Sequence, residues 1–122
     1  MTIFENQECC GIVDTKVKKN RYYNIPARDH RYMGICIVSY LDLLNQLNLP
    51  HLKLSYVCFV SSGFSNISGN LSLLTKETGI PISAVAIIDL INISKMAISA
   101  RHFLHVMSKG GIITSDSFKE IV

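Results

Sequence analysis

The segment G-I-V-D-T-K at residues 11–16 decides the fold, because it reads as a buried strand that ends in an acid and a lysine. Side chains alternate between the two faces of a strand, so Asp14 and Lys16 are expected on one face with Cα atoms about 6.6 Å apart. The apolar Ile12 and Val13 precede the acid, and a polar loop follows the lysine. We therefore expect the pair at the exposed end of a buried strand, where both side chains can act on one reacting centre.

The same pair also has an ordinary structural interpretation. An acid two residues before a lysine is a short pattern that occurs by chance in many chains. The carboxylate can start a turn, and the lysine can lie in solvent at the end of the strand. The triplet alone favours neither interpretation, so the surrounding elements have to decide between them.

Strands and helices alternate along the 122 residues, which suit a single domain with one core. This alternation implies an α/β fold, a sheet with parallel neighbours and helices on both faces. The predicted elements are a strand over residues 10–17, a helix between Pro26 and Pro50 with apolar positions at Met33, Ile37, Leu41, Leu44 and Leu47, a strand over 54–61, a helix capped by Ser65 or Asn66 and ending near Gly79, a strand over 80–87, a helix over 89–107, a break at Gly110 and Gly111, and a short helix over 115–122.

Four segments in the same order resemble the C-terminal part of the cleavage domain of FokI-type type IIS restriction endonucleases, members of the PD-(D/E)XK nuclease superfamily. They are G-I-V-D-T-K at residues 11–16, Y-N-I-P at 23–26, the strand over 56–61 with the S-G-F that follows it, and the closing order of strand, helix and short helix. The resemblance implies a restriction-endonuclease-like mixed sheet flanked by helices. It also implies a single nuclease cleavage domain over residues 1–122 that hydrolyses double-stranded DNA with Mg²⁺.

By this resemblance Asp14 is a magnesium ligand, the main-chain carbonyl of Thr15 is another, and Lys16 orients or helps to activate the attacking water. These groups suit the chemistry, because Mg²⁺ prefers hard oxygen ligands, stabilises charge on phosphoryl oxygens and lowers the pKa of bound water. A lysine beside the ion can hold the water and the scissile phosphate.

The chain departs from the resembled family at the other metal carboxylate. In that family the carboxylate follows a proline on the preceding strand of a hairpin, and here no proline is followed by an acid. The only acids before Asp14 are Glu5 and Glu8. Glu8 would lie about 20 Å away on a straight strand, and no Asn-Gly or Asp-Gly turn is present to bring Glu5 back. We therefore expect the N-terminal part of the fold to be missing, through a truncated frame, a fragment or a split enzyme, and activity of this chain alone stays open.

Basic residues crowd next to the predicted site, and we expect Lys18, Lys19 and Arg21 to bind DNA. Such a cluster can bind backbone phosphates without reading sequence, although a solvated loop explains it equally well. The net charge of +3 adds a mild preference for an anionic partner. The full cluster is Lys16, Lys18, Lys19, Arg21, Arg28 and Arg31, interleaved with Tyr22 and Tyr23.

The helix after Y-N-I-P contributes to the dimer contact in the resembled family, through an acid and an arginine four residues apart. Arg31 and Ile35 fall at those positions here, and Asp29 is followed four residues later by Met33, so the charge pair is not reproduced. A homodimer through the apolar face of this helix and ordinary packing of that face on the sheet are the two interpretations.

Other features indicate a cytoplasmic protein without a membrane segment. The four cysteines form no C-x-x-C pair, which favours buried thiols over a disulfide framework or a metal site. His102 and His105 have no second ligand pair, so we expect a surface or packing role. The most apolar run, residues 80–93, is too short for a membrane span and contains Asp89. No signal peptide is visible.

Two functions follow from these observations. The first is a Mg²⁺-dependent DNA endonuclease of a type IIS restriction system, with double-stranded DNA as substrate. The second is an inactive nuclease remnant that acts as an interaction or dimerisation module. A general α/β domain with a chance D-x-K is disfavoured by the ordered match of four segments.

Overall fold

The computed structural model describes residues 2–5, 9–16, 22–47 and 53–119. Five strands and four α-helices follow one another in these ranges, and a short 3₁₀ helix closes the described part. The elements are β1 Thr2–Glu5, β2 Cys9–Thr15, α1 Ala27–Gln46, β3 Lys53–Ser61, α2 Ser68–Thr78, β4 Ile82–Ala86, α3 Ile87–Ser94, α4 Ala100–Met107, β5 Gly111–Ile113 and the 3₁₀ helix Ser115–Phe118.

The strands form one mixed sheet in the order β1-β2-β3-β4-β5. β1 is antiparallel to β2, and β2 to β5 are parallel to one another. The predicted α/β class and mixed sheet are thus confirmed. The carboxyl ends of β2, β3 and β4 meet at one edge of the sheet, where parallel sheets commonly carry their functional groups.

Apolar side chains cover both faces of the sheet. One face packs against α1 and α2, and its buried cluster is formed by Ile12, Tyr23, Ile25, Met33, Ile37, Leu54, Val57, Phe59, Ile67, Leu71, Leu74, Ile82 and Ala84. The other face packs against α3, α4 and the 3₁₀ helix, with Tyr56, Cys58, Val60, Val85, Ile93, Val106, Met107, Ile113 and Phe118 buried there. Alternation along β2 therefore directs Ile12 to the first cluster and Val13 to the second.

α1 and α2 follow the predicted pattern, with two corrections. α1 begins after Pro26 as predicted and ends at Gln46, so Leu47 follows the helix and is exposed instead of continuing the buried stripe. The predicted stop at Pro50 lies outside the described residues. α2 ends at Gly79 in the left-handed conformation. The predicted cap of α2 at Ser65 or Asn66 is wrong, because the helix begins after Ile67 without a side-chain cap. Asn66 has a φ of 49° and is not poised for capping.

The predicted single helix over residues 89–107 is also wrong. α3 ends at Ser94, and α4 starts after Ser99, whose hydroxyl accepts a hydrogen bond of 3.1 Å from the backbone N–H of His102. That hydroxyl provides the start of a new helix. His102 packs edge-to-face on Phe118, in line with the predicted packing role.

The two edge strands were not predicted. β1 pairs antiparallel with β2 despite the lack of a turn signal, and β5 begins at the predicted glycine break. Gly110 and Gly111 both have positive φ values, 67° and 76°, which let the chain turn into β5. At the start of the predicted helix over 115–122 the structure has a 3₁₀ helix, Ser115–Phe118, and residues 120–122 of the predicted range lie outside the described residues. None of the helices in the described part is long and apolar enough to cross a membrane.

Candidate active site

The predicted acid and lysine lie at the carboxyl end of β2, as the sequence indicates. Asp14 pairs with Phe59 of β3, and Thr15 pairs with Val60. The backbone N–H of Lys16 donates a 2.7 Å hydrogen bond to the carbonyl of Val60, so the ladder extends one residue past the strand. The position of Lys16 is therefore fixed by the backbone of β3.

Asp14 and Lys16 form an ion pair on the face of the sheet that α1 and α2 cover. The distance between Lys16 Nζ and Asp14 Oδ2 is 3.3 Å, and their side chains are 25% and 10% exposed. The Asp14 carboxylate is therefore largely buried, and the Lys16 side chain is partly exposed. A cation bound by Asp14 would have to share the carboxylate with the lysine or displace it.

Thr15 is exposed and lies on the opposite face from Asp14. Successive residues of a strand direct their backbone groups alternately to its two sides. The backbone of Lys16 is directed towards β3. The carbonyl of Thr15 is therefore directed towards the β1 side. The first described residue of β1, Thr2, pairs with Val13. No described residue of β1 therefore stands opposite Thr15.

The described residues contain no second carboxylate near Asp14 on the neighbouring strand. The backbone of Glu5 pairs with Cys10, four positions along β2 from Asp14, which corresponds to about 13 Å. Glu8 lies outside the described residues. In the part of the chain that is described, no group of three or more histidine, cysteine, aspartate or glutamate residues could hold a metal ion.

The Y-N-I-P segment is attached to the end of β3 beside this site. The N–H of Tyr23 donates to the carbonyl of Gly63 at 2.9 Å, and the N–H of Ser65 donates to the carbonyl of Tyr23 at 3.1 Å. The Tyr23 ring is fully buried and contacts Phe59 at a centroid distance of 5.8 Å. The segment thereby connects the end of β3 to the beginning of α1.

The phenol of Tyr23 donates a hydrogen bond of 2.8 Å to Asp29 Oδ2, in the first turn of α1. Burial raises the pKa of Tyr23, and the hydrogen bond to Asp29 and the nearby charges of Asp29 and Asp14 raise it further. The phenol therefore remains a proton donor. Between Tyr23 and α1, Ile25 has a φ of 53°, a conformation that a β-branched residue rarely adopts.

The structure explains why the first residue of G-I-V-D-T-K is a glycine. Gly11 pairs with Tyr56 of β3, and a Cβ built on Gly11 would overlap the Tyr56 ring. That ring is buried and packs edge-to-face on Phe103 of α4, with centroids 5.9 Å apart. Gly11 thus lets an aromatic side chain lie over the strand that carries Asp14.

The predicted DNA-binding residues Lys18, Lys19 and Arg21 lie outside the described residues. Three members of the basic cluster lie among the described residues: Lys16, and Arg28 and Arg31 at the start of α1. Arg31 is exposed, and the Arg28 side chain is 90% exposed with its Nε 4.0 Å from Asp29 Oδ1.

One polar residue at this edge was missed by the sequence analysis. Ser61, the last residue of β3, is fully buried, and its Oγ has no hydrogen-bond partner among the described residues. Its sequence signal is weak, since it is a small polar residue at the end of an apolar run.

The fold and the site define the class of this protein. It has the restriction-endonuclease-like arrangement of a mixed sheet flanked by helices, with an acid and a lysine at the end of a central strand. The family model described as "FokI, cleavage domain" matches residues 1–114. The chain therefore belongs to the FokI cleavage-domain family, the nuclease cleavage domains of type IIS restriction enzymes. Comparisons with curated proteins and with solved structures gave no match.

Proposed function

We propose that this domain is a Mg²⁺-dependent endonuclease that hydrolyses phosphodiester bonds of double-stranded DNA, within a type IIS restriction system. The observation that carries the proposal is the shared position of Asp14 and Lys16, 3.3 Å apart at the end of β2, in a chain of the FokI cleavage-domain family. Both side chains lie at the carboxyl end of β2, and neither belongs to the two apolar clusters of the core.

The donor atoms fit the proposed ion. A carboxylate that is 10% exposed and a backbone carbonyl at a strand end are hard oxygen donors, the type that Mg²⁺ prefers. Asp14 and the carbonyl of Thr15 would hold the ion, which would stabilise charge on the phosphoryl oxygens and lower the pKa of its bound water.

Lys16 has a separate role in this proposal. Its ammonium carries three N–H donors, and the hydrogen bond of its backbone to Val60 fixes where the side chain starts. From there the ammonium holds a non-bridging oxygen of the scissile phosphate and orients the attacking water. Lys18, Lys19 and Arg21 bind neighbouring backbone phosphates without reading base sequence.

We further propose that the second carboxylate comes from outside the described residues. Since β1 is antiparallel to β2 and Thr2 pairs with Val13, a strand that continued this pairing beyond Thr2 would stand opposite Asp14 and Lys16. An acid in that continuation of β1, or one from a partner chain, would stand on the side to which the Thr15 carbonyl is directed.

Plasmid cleavage tests this function. We expect Mg²⁺-dependent nicking or linearisation that is lost in Asp14→Ala and Lys16→Ala and is preserved in Asp116→Ala and Lys95→Ala. Asp116 is exposed and lies on the 3₁₀ helix beside the far edge of the sheet, and Lys95 is an exposed residue after α3, so both controls match the charge change. The same assay is repeated with the coding region extended upstream of Met1 by an acid-containing strand, if one is encoded there. Cleavage by neither form would contradict the proposal, as would cleavage that survives Asp14→Ala.

A second candidate is an interaction module without nuclease activity, in which α1 forms a homodimer. The observation in its favour is the outer face of α1, where Ile35 and Val38 are 65% and 59% exposed on the side opposite to the buried Met33 and Ile37. Asp29 binds Tyr23, so it does not supply the charge pair of the resembled dimer contact. Sedimentation of the parent chain and of Ile35→Glu tests this alternative: a dimer in the parent and a monomer in the variant would support it, and a parent that is monomeric at high concentration would contradict it.

A further inference from the structure

Ser61 differs from the other buried serine of the sheet. Both Ser61 and Ser83 are 0% exposed. The hydroxyl of Ser83 donates to the carbonyl of Val57 at 3.3 Å, whereas the Oγ of Ser61 has no partner among the described residues. Buried hydroxyls are normally paired, and leaving one unpaired lowers stability. Among the described residues, the Ser61 hydroxyl therefore contributes no hydrogen bond to the fold.

The strand register places Ser61 next to Lys16. Asp14 pairs with Phe59 and Thr15 with Val60, and the hydrogen bond from the Lys16 N–H to the Val60 carbonyl continues this register by one residue. Neighbouring strands are about 4.8 Å apart, and paired residues direct their side chains to the same face. Ser61 thus shares a face with both Asp14 and Lys16, on the side of α1 and α2.

A cation bound at Asp14 would change which acceptor is available to the Lys16 ammonium. In the structure, Lys16 Nζ lies 3.3 Å from Asp14 Oδ2. An ion bound by that carboxylate would repel the ammonium and compete with it for the carboxylate oxygens. The ammonium then requires another acceptor, and the neighbouring position on β3 supplies an unpaired oxygen.

We propose that Ser61 is a positioning residue of the cleavage site, whose Oγ accepts a hydrogen bond from the Lys16 ammonium when Asp14 binds a divalent cation. This inference rests on the proposed function. Ser61 keeps the lysine at the site without leaving it in competition with the ion. The unpaired Ser61 hydroxyl then accepts the hydrogen bond of the Lys16 ammonium once the ion is bound.

A double-mutant cycle on ion binding tests the inference, with Mn²⁺ titrated into the millimolar range and free Mn²⁺ followed by electron paramagnetic resonance. In the parent background we expect Ser61→Ala to weaken Mn²⁺ binding by about tenfold, the lower end of the range for residues that support a metal ligand. In the Lys16→Met background, where no ammonium competes, we expect no change. Ser83→Ala is the matched control and leaves binding unchanged in both backgrounds.

Two further variants separate positioning from folding. Ser61→Thr keeps the hydroxyl and is expected to restore binding to within about twofold of the parent chain, as the conservative variant of a residue that acts through its hydroxyl. Because Ser61→Ala removes an unpaired group, its urea midpoint is expected to equal or exceed that of the parent.

The outcomes distinguish failure of this inference from failure of the proposed function. Equal weakening by Ser61→Ala in both lysine backgrounds, or no weakening in either, would overturn the inference while Asp14→Ala still abolishes binding. If Mn²⁺ binds equally to the parent chain and to Asp14→Ala, or does not bind the parent, the ion site itself fails, and both proposals fall.

Discussion

Replacing Gly11 by alanine is expected to destabilise the domain through the strand that carries Asp14. A Cβ at this position overlaps the Tyr56 ring, which is only 4% exposed and lies against Phe103. The ring cannot move into solvent, so the added methyl group has to displace either β2 or the Phe103 contact. Overpacking of this kind costs about 1–3 kcal/mol.

The same substitution at Gly34 should have the opposite sign. Gly34 lies in the middle of α1, and no atom lies within 4 Å of a Cβ built there. Alanine at such a site stabilises by about 0.5–1 kcal/mol, because it restricts the unfolded chain and favours the helix. The pair Gly11→Ala and Gly34→Ala thus tests the packing argument with one chemical change in two environments.

Urea unfolding followed by far-ultraviolet circular dichroism measures both effects. We expect the midpoint to fall for Gly11→Ala and to rise for Gly34→Ala, with unchanged slopes. Adding Tyr56→Leu should make Gly11→Ala less costly than it is in the parent, because the overlapping ring is removed. A neutral Gly11→Ala, or a cost that is the same with and without Tyr56, would refute the reasoning.

Two further predictions concern buried polar groups near the sheet. Tyr23→Phe is expected to lower the free energy of unfolding by about 1–2 kcal/mol, because Asp29 loses its phenol donor, and a urea midpoint equal to that of the parent would contradict this. Burial raises the pKa of the Cys58 thiol from 9.0 to about 11. The stability that the folded protein gains from keeping this thiol neutral is therefore fully present below pH 9. Above pH 9 the unfolded thiol ionises first and stability falls by up to about 1.4 kcal/mol per pH unit until pH 11. In urea titrations, the difference in unfolding free energy between the parent and Cys58→Ala should therefore become smaller between pH 9 and pH 11. A difference that stays constant over this pH range would contradict the raised pKa of Cys58.

Local chemistry made α1 and the end of α2 predictable. Pro26 directly precedes the first helix, and Gly79 adopts the left-handed conformation that ends the second. These signals act within a few residues of where they stand. The pair Asp14 and Lys16 was predictable for the same reason, since the alternation of a strand fixes their common face without reference to the rest of the fold.

Features that depend on distant partners were not predictable. β5 has three residues and exists because it pairs with β4. The 3₁₀ helix meets the first turn of α3 through a hydrogen bond of 3.0 Å from the Ser115 N–H to Asp89, 26 residues earlier in the chain. No local pattern encodes these contacts.

The same limit applies to the site. Gly11 faces Tyr56, and Ser61 lies beside Lys16, only because of the register of β2 against β3, which shifts between Cys10 and Gly11. A shift of one residue would exchange the faces of a strand. The sequence around one residue of such a pair therefore does not indicate its partner on the other strand. For this reason Ser61 was missed.

Electrostatics explains why the site needs another acid. The carboxylate of Asp14 and the ammonium of Lys16, 3.3 Å apart, sum to zero charge, so the pair offers little attraction to a cation. A unit charge 4 Å from a divalent cation contributes about 8 kcal/mol of Coulomb attraction at an effective dielectric constant of about 20, before desolvation is subtracted. A second carboxylate would make the site net negative and would let the lysine leave Asp14. Ion binding by the described pair alone is therefore expected to be weak, and an acid placed in the continuation of β1 should strengthen it by far more than any change at Ser61.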